Sequence, residues 1–131
     1  MRLSDTLVYK GSVFSIEWYF DEQGNSPARD YYQSLSNERR IKFLKLVRLM
    51  GDIGKIFDIT KFRNEGDQIF AFKPQPDRYL CFFMAGKRII ITNGFEKKSQ
   101  KLPSGEKMKA LKAKADFELR IKRGTYYEKA R

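Results

Sequence analysis

Hydrophobic and polar positions alternate from Ser12 to Phe20, placing Phe14, Ile16, Trp18 and Phe20 on one face. A period of two over this length predicts a half-buried strand. The polar run Asp21–Asn25 reads as a loop, and Ser26-Pro27 as an N-cap followed by proline in the first helical turn. A short helix is expected from Pro27 to Leu35, with Tyr31, Tyr32 and Leu35 turned inward. Ser36-Asn37-Glu38 opens a longer helix with a broad apolar face: Ile41, Phe43, Leu44, Leu46, Val47 and Met50. Gly51 and Gly54 end it. Two helices with so short a join form a helical hairpin.

Beyond Gly54 the period changes to two. Strands are expected over Ile59–Arg63, Gln68–Lys73, Arg78–Met84 and Lys87–Thr92. Pro74–Asp77 turns the chain between the second and third, and Ala85-Gly86 between the third and fourth. The last three strands make an antiparallel meander. Asn93–Pro103 reads as a basic, irregular loop, after which Ser104 caps a final helix. Met108, Leu111, Ala115 and Leu119 are its expected inner face, with Lys107, Lys109, Lys112 and Lys114 on the wet side. The order β-αα-ββββ-α gives one α+β domain over residues 1–131, with a core over 12–121 and a mobile tail over 122–131.

Charge sharpens this plan. The chain carries 27 Lys and Arg against 16 Asp and Glu. Residues 1–60 hold 9 and 8 of these, residues 61–131 hold 18 and 8, so nearly all of the net +11 lies in the second half. Such asymmetry points to a polyanion-facing surface, with nucleic acid the leading class because phosphates reward clustered cations. A solvated basic face is the plain alternative. An anionic membrane fits less well, since no segment joins a strong apolar face to a basic one. No apolar run approaches the ~18 residues of a membrane helix, and no signal peptide is readable. The single cysteine, Cys81, excludes an intramolecular disulfide and suits a reducing cytoplasm.

The absence of histidine excludes Ser-His-Asp and Cys-His nucleophile arrangements, His-paired ribonuclease chemistry and His-ligated zinc. Glu65, Asp67 and Glu96 are too dispersed for a metal pair, and no cofactor is expected.

The segment Phe95-Glu96-Lys97-Lys98-Ser99-Gln100-Lys101-Leu102-Pro103 resembles the F-x-K-K-[ST]-x-K-x-P signature of RelE/HigB-like toxins, most closely the phage-derived branch. Element order agrees across roughly residues 14–120, including Lys61, the Phe70-Ala71-Phe72-Lys73 strand end and the strand from Arg78 to Phe83. The resemblance implies a compact sheet packed on a helical hairpin. It also implies a type II toxin that cuts mRNA on the ribosome and is neutralised by a small antitoxin, often of helix-turn-helix type. Three positions depart from the family pattern. Lys73 stands where many relatives place arginine, Asn93 where histidine often precedes the signature, and Cys81 where tyrosine is frequent.

RNA cleavage without a metal needs a base near the 2′-hydroxyl, positive charge on the transition-state oxygens and help for the leaving group. Without histidine, lysine must be the base, and crowding among cations is what would bring one toward neutrality. Arg78 is expected to stabilise transition-state charge, Lys97 or Lys98 to act as base or acid, and Lys73 to clamp phosphate. Lys61, Arg63, Arg88 and Lys101 are expected to position RNA, and Tyr79 to stack on a base. The plainer readings stand beside these: Arg78 paired with Asp77 or Glu65, Lys97 and Lys98 as ordinary loop lysines. Phe70, Phe72, Phe82 and Phe83 read as core, Cys81 as buried and inert, and Tyr126-Tyr127 carries no signal. A non-nucleolytic relative of gyrase-poison type and a non-catalytic basic nucleic-acid-binding module are the rival functions.

Overall fold

The computed structural model describes residues 2–127. The elements in chain order are α1 (Leu3–Thr6), β1 (Leu7–Lys10), β2 (Ser15–Trp18), α2 (Pro27–Gln33) and α3 (Asn37–Ile53). They continue with β3 (Phe62–Asn64), β4 (Phe70–Phe72), β5 (Asp77–Met84), β6 (Arg88–Glu96) and α4 (Ser104–Arg123). Six strands form one sheet in the order β1-β2-β6-β5-β4-β3. From β4 to β6 it is the expected antiparallel meander, which β3 extends by a fourth strand, while β2 joins β6 in parallel. The α+β class follows, with a helical hairpin on one face of the sheet and α4 on the other.

Alternation along each strand builds both cores. Ile16 and Trp18 of β2, Phe72 of β4, Tyr79 and Cys81 of β5, and Ile89 and Ile91 of β6 point to the hairpin. There Phe43 of α3 stacks on Tyr79 at 4.0 Å between centroids and on Trp18 at 5.7 Å. The alternate residues Ala71, Leu80, Phe82 and Ile90 meet Ala110, Ala113 and Phe117 of α4. Each fully buried aromatic contributes roughly 1.5–3 kcal/mol of transfer free energy.

Helix ends follow local chemistry. Ser36 caps α3 through its side chain, which accepts from the Arg39 N–H, and Gly54 closes it at φ 84°. The α2 side of the sheet approaches closely at Gly94, where a Cβ would lie 2.7 Å from Tyr31 Cδ2.

Several elements differ from the sequence expectation. The region before Ser12 is structured: α1 and β1 add an edge strand, and Gly11–Phe14 is a turn that confines β2 to Ser15–Trp18. Strand β3 begins at Phe62 and leaves Ile59 exposed, since Phe62 is the residue that reaches the core. Strand β6 runs on through Asn93–Glu96, expected as loop. Asn93 and Gly94 look like loop residues, but Asn93 is buried with its polar groups satisfied and Gly94 makes room for Tyr31.

The inner face of α4 is rotated from expectation. Ala110, Ala113 and Phe117 are buried, whereas Met108 and Leu119 are exposed. The sheet already presents large side chains, so α4 packs closely through alanines. Lys114 lies over the Phe82 ring at 5.8 Å, its stem covering apolar surface. Pro103, not Ser104, is the N-cap.

The expected tail is a correction as well. Residues 122 and 123 belong to α4, and Tyr126 is buried, its hydroxyl accepting from the Phe20 N–H at 2.9 Å. Tyr127 donates to Glu17. Residues 128–131 lie outside the described residues.

Candidate nucleic-acid interface

Four strands and one loop meet at one end of the sheet, on the α4 face. Register sets the side chains there: Arg63 pairs with Ala71, and Arg78 with Phe95. Lys73 follows β4 on the same side as Ala71. The loop from Lys97 to Pro103 closes the far wall and leads into Ser104 of α4. Together they enclose an open groove of about 610 Å³.

Arg63, Lys73, Arg78 and Lys97 line its floor and near wall, with Lys98, Lys101 and Lys107 around them. Among the lining residues Glu65 is the one carboxylate. The start of α4 adds the positive end of a helix dipole, which favours anions. No cluster of three His, Cys, Asp or Glu side chains able to hold a metal gathers among the described residues.

Asp77 and Arg78 divide the two faces between them. Asp77 is buried under the sheet, where Arg39 Nε donates to its Oδ2 at 3.0 Å and the Tyr31 hydroxyl donates to its Oδ1. Arg78 turns to the groove and is only 7% exposed. Its Nη1 donates to the Asp77 carbonyl at 3.0 Å and to Gln75 Oε1 at 3.3 Å, and it has no ion pair among the described residues. The open alternative of an Arg78–Asp77 pair therefore falls to Arg39. Burial lowers the Arg78 pKa from its ordinary value, against the opposing charges of Glu65 and Asp77.

Lys73 lies at the end of β4 with its Nζ donating to the Ile59 carbonyl at 3.1 Å. Its pKa is lowered, first by burial and then by the charges of Arg78, Arg63 and Lys97, with Glu65 opposing. Lys97 is half-buried and fixed through its backbone N–H, which donates to the Pro76 carbonyl at 2.8 Å. Lys98 and Lys101 are exposed on the rim.

The groove thus unites Lys73, Arg78, Lys97, Lys98, Arg63 and Lys101. Lys61 stands just outside the lining, its carbonyl accepting the Lys73 N–H at 2.8 Å. Two expectations are corrected. Tyr79 does not face RNA: strand parity puts it under the sheet, fully buried against Phe43. Arg88 begins β6 at the opposite end of the sheet, about 23 Å along the strand from Phe95. There its Nη1 donates to the Tyr127 hydroxyl at 3.1 Å and lies 4.0 Å from Glu17 Oε2.

Glu65 and Lys107 are groove residues that sequence reasoning missed. Glu65 sits 3.5 Å from Arg63 Nε. It enters a turn in which Gly66, Asp67 and Gln68 all have positive φ, and Lys107 bridges that turn to α4 through Asp67 at 2.8 Å. Glycine at 66 was the available signal for a turn sharp enough to aim Glu65 inward. The departures Cys81 and Asn93 are structural: burial raises the Cys81 thiol pKa, and Asn93 Nδ2 donates to the Glu106 carbonyl at 3.1 Å.

The fold and the groove define a class: a small α+β protein of RelE-like plan with a cationic cleft at one end of its sheet. Within it, the chain belongs to the family described as Phage derived protein Gp49-like (DUF891), whose model matches residues 30–115. That is a toxin-like family of the RelE/HigB type. The match runs from α2 into α4 and so takes in every strand that borders the groove. No curated protein matches the chain. No helix among the described residues is long and apolar enough to cross a membrane.

Proposed function

We propose that the chain is the toxin of a type II toxin–antitoxin system, an endoribonuclease that cuts mRNA on the ribosome in the cytoplasm and is held in check by a small helix-turn-helix antitoxin. The observation that carries this reading is Lys73 and Arg78 in one cationic groove, with the Lys73 pKa lowered by burial and by its cationic neighbours.

In this mechanism the neutral Lys73 amine takes the proton of the RNA 2′-hydroxyl as its oxygen attacks the adjacent phosphorus. The planar Arg78 guanidinium bonds two phosphate oxygens and stabilises the charge that develops on them. Lys97, protonated, gives its proton to the departing 5′-oxygen. Arg63, Lys98, Lys101 and Lys107 hold the flanking phosphates. Lys73 takes the role of base that the sequence assigned to Lys97 or Lys98, because burial first, and then the neighbouring cations, disfavour its charged form. The products are a 2′,3′-cyclic phosphate and a 5′-hydroxyl, and atoms balance without water or metal.

A basic nucleic-acid-binding module without catalysis is the rival, and it draws on Asn93, whose side chain is engaged with Thr92 and Glu106. Expression of the chain without a partner separates the readings. Growth arrest with new mRNA 5′ ends that vanish in Arg78→Ala supports the enzyme. Arrest with intact mRNA and broken DNA assigns a gyrase poison, and RNA binding without arrest assigns the module.

A further inference from the structure

Helix α3 has more apolar surface than the core can take. Phe43, Leu46, Val47 and Met50 are buried, but Ile41, Leu49 and Ile53 are exposed. With Lys45 these three fall at steps of four, one ridge along the outer side of the helix. In the segment after the helix, Phe57 is 86% exposed and Ile59 68% exposed. Half of the ten large apolar side chains that are exposed among the described residues lie between positions 41 and 59. That concentration exceeds the scattered exposure of an ordinary surface. The outward row of α4, Met108 and Leu119, is smaller.

Around the ridge the exposed cations outnumber the carboxylates. Lys42, Lys45, Arg48 and Lys55 are exposed, and none has an ion pair among the described residues. Of the nearby carboxylates, Asp52 accepts from the Tyr9 hydroxyl and the Ser12 N–H, Asp58 accepts from Thr60, and Glu38 lies exposed in the first turn of α3. A ridge spaced at i, i+4 packs into the groove of another helix. From Ile41 to Ile53 it is about 18 Å long, room for three to four helical turns. A second copy of this chain would bring four cations against four.

We infer that the outer ridge of α3, with Phe57 and Ile59, is the docking surface for an acidic amphipathic helix of a partner protein. This goes beyond the nucleolytic reading and does not depend on it. The helical part of the ridge, Ile41 to Ile53, lies on the hairpin layer and the groove on the α4 layer, so a partner seated on α3 leaves the groove open, while Ile59 reaches the groove's edge, its carbonyl accepting from Lys73 Nζ at 3.1 Å. The two sites are occupied together.

The test uses a fluorescein-labelled 21-residue helical peptide with leucine on one face and glutamate elsewhere, titrated with the full chain by anisotropy. A peptide with lysine in place of glutamate is the control. The glutamate peptide binds, and Ile53→Ser or Lys45→Glu weakens it at least tenfold. Phe57→Ser does the same from a loop position where folding is unaffected. Lys97→Ala/Lys98→Ala leaves binding unchanged, and an oligouridylate does not displace the peptide. Failure of the oligouridylate to bind at all touches the nuclease reading and not this one. Equal binding of the lysine peptide, no binding, or loss in the Lys97/Lys98 variant overturns the inference. So does a wild-type dimer in sedimentation that Ile53→Ser dissolves, which assigns the face to a second copy. Capture by phosphatidylglycerol vesicles that Ile53→Ser abolishes assigns it to lipid and overturns it equally.

Discussion

Asp77 and Arg78 are adjacent in the chain and face opposite layers, and much of the groove's chemistry follows from that alternation. Because Arg39 and Tyr31 take up the Asp77 carboxylate, the guanidinium of Arg78 keeps its charge for the groove. Lys73 responds to the same field. A base must be neutral, so the rising limb of the rate follows the Lys73 pKa. Its lowered pKa places that rise below the 10.5 of an ordinary lysine. Arg63→Gln removes a cation that disfavours the charged amine, so the rise moves to higher pH. Glu65→Gln removes the one opposing charge, and the rise moves to lower pH. A pH–rate profile of RNA cleavage by the three proteins checks both signs; shifts in the same direction would contradict the assignment.

Tyr79 gives a second test at this scale. Its hydroxyl is buried with no hydrogen-bond partner among the described residues. Tyr79→Phe deletes the unsatisfied group and keeps the ring on Phe43, so stability rises by about 1 kcal/mol in urea unfolding. RNA affinity stays at the wild-type value, as it would not for a stacking tyrosine.

At the scale of elements, the C-terminal segment behaves as a strap. After Gly124 turns the chain, Tyr126 packs on Phe117 at 4.5 Å and under Arg120, whose guanidinium carbon is 4.6 Å from the ring centroid. Arg120 in turn donates to the Phe20 carbonyl at 2.9 Å, tying the end of α4 to the residues after β2. Tyr126→Ala opens this cluster and lowers stability by about 3 kcal/mol in urea unfolding. An unchanged midpoint would show the strap to be dispensable.

Which elements were legible from sequence follows from the same physics. Periodicity located β2, the hairpin, β4 and β5, whose apolar positions recur at the period of the element itself. It misjudged elements whose partners are distant in sequence. Strand β6 beyond Thr92 is held by α2 and α4, which accept Gly94 and satisfy Asn93, and neither contact is written locally. The stripe Met108–Leu119 was the more hydrophobic face of α4, yet the crowded sheet selected the alanine face. In the groove, the signature located Lys97, Lys98 and Lys101, and strand order located Lys73 and Arg78. Glu65 and Lys107 arrive through a left-handed turn and a cross-element bridge. Arg88 and Tyr79 were misplaced for geometric reasons, one by strand length and one by parity.

At the scale of the molecule, the sheet separates two surfaces. One end of the α4 face is a cationic groove; the outer side of the hairpin is a basic, apolar ridge. The excess positive charge of the second half is concentrated where β3 to β6 and the loop to α4 converge, although Arg88 at the far end serves a structural pairing with Glu17 and Tyr127. The proposed catalysis by the groove would rest on lysine and arginine, with the RNA supplying its own nucleophile. The end groups of the cut RNA test that claim most directly. Fragments recovered from cells expressing the wild-type chain should carry a 2′,3′-cyclic phosphate upstream and a 5′-hydroxyl downstream, and should be absent with Arg78→Ala at equal soluble level. Fragments ending in a 3′-hydroxyl and a 5′-phosphate, or equal cutting by the variant, would contradict it.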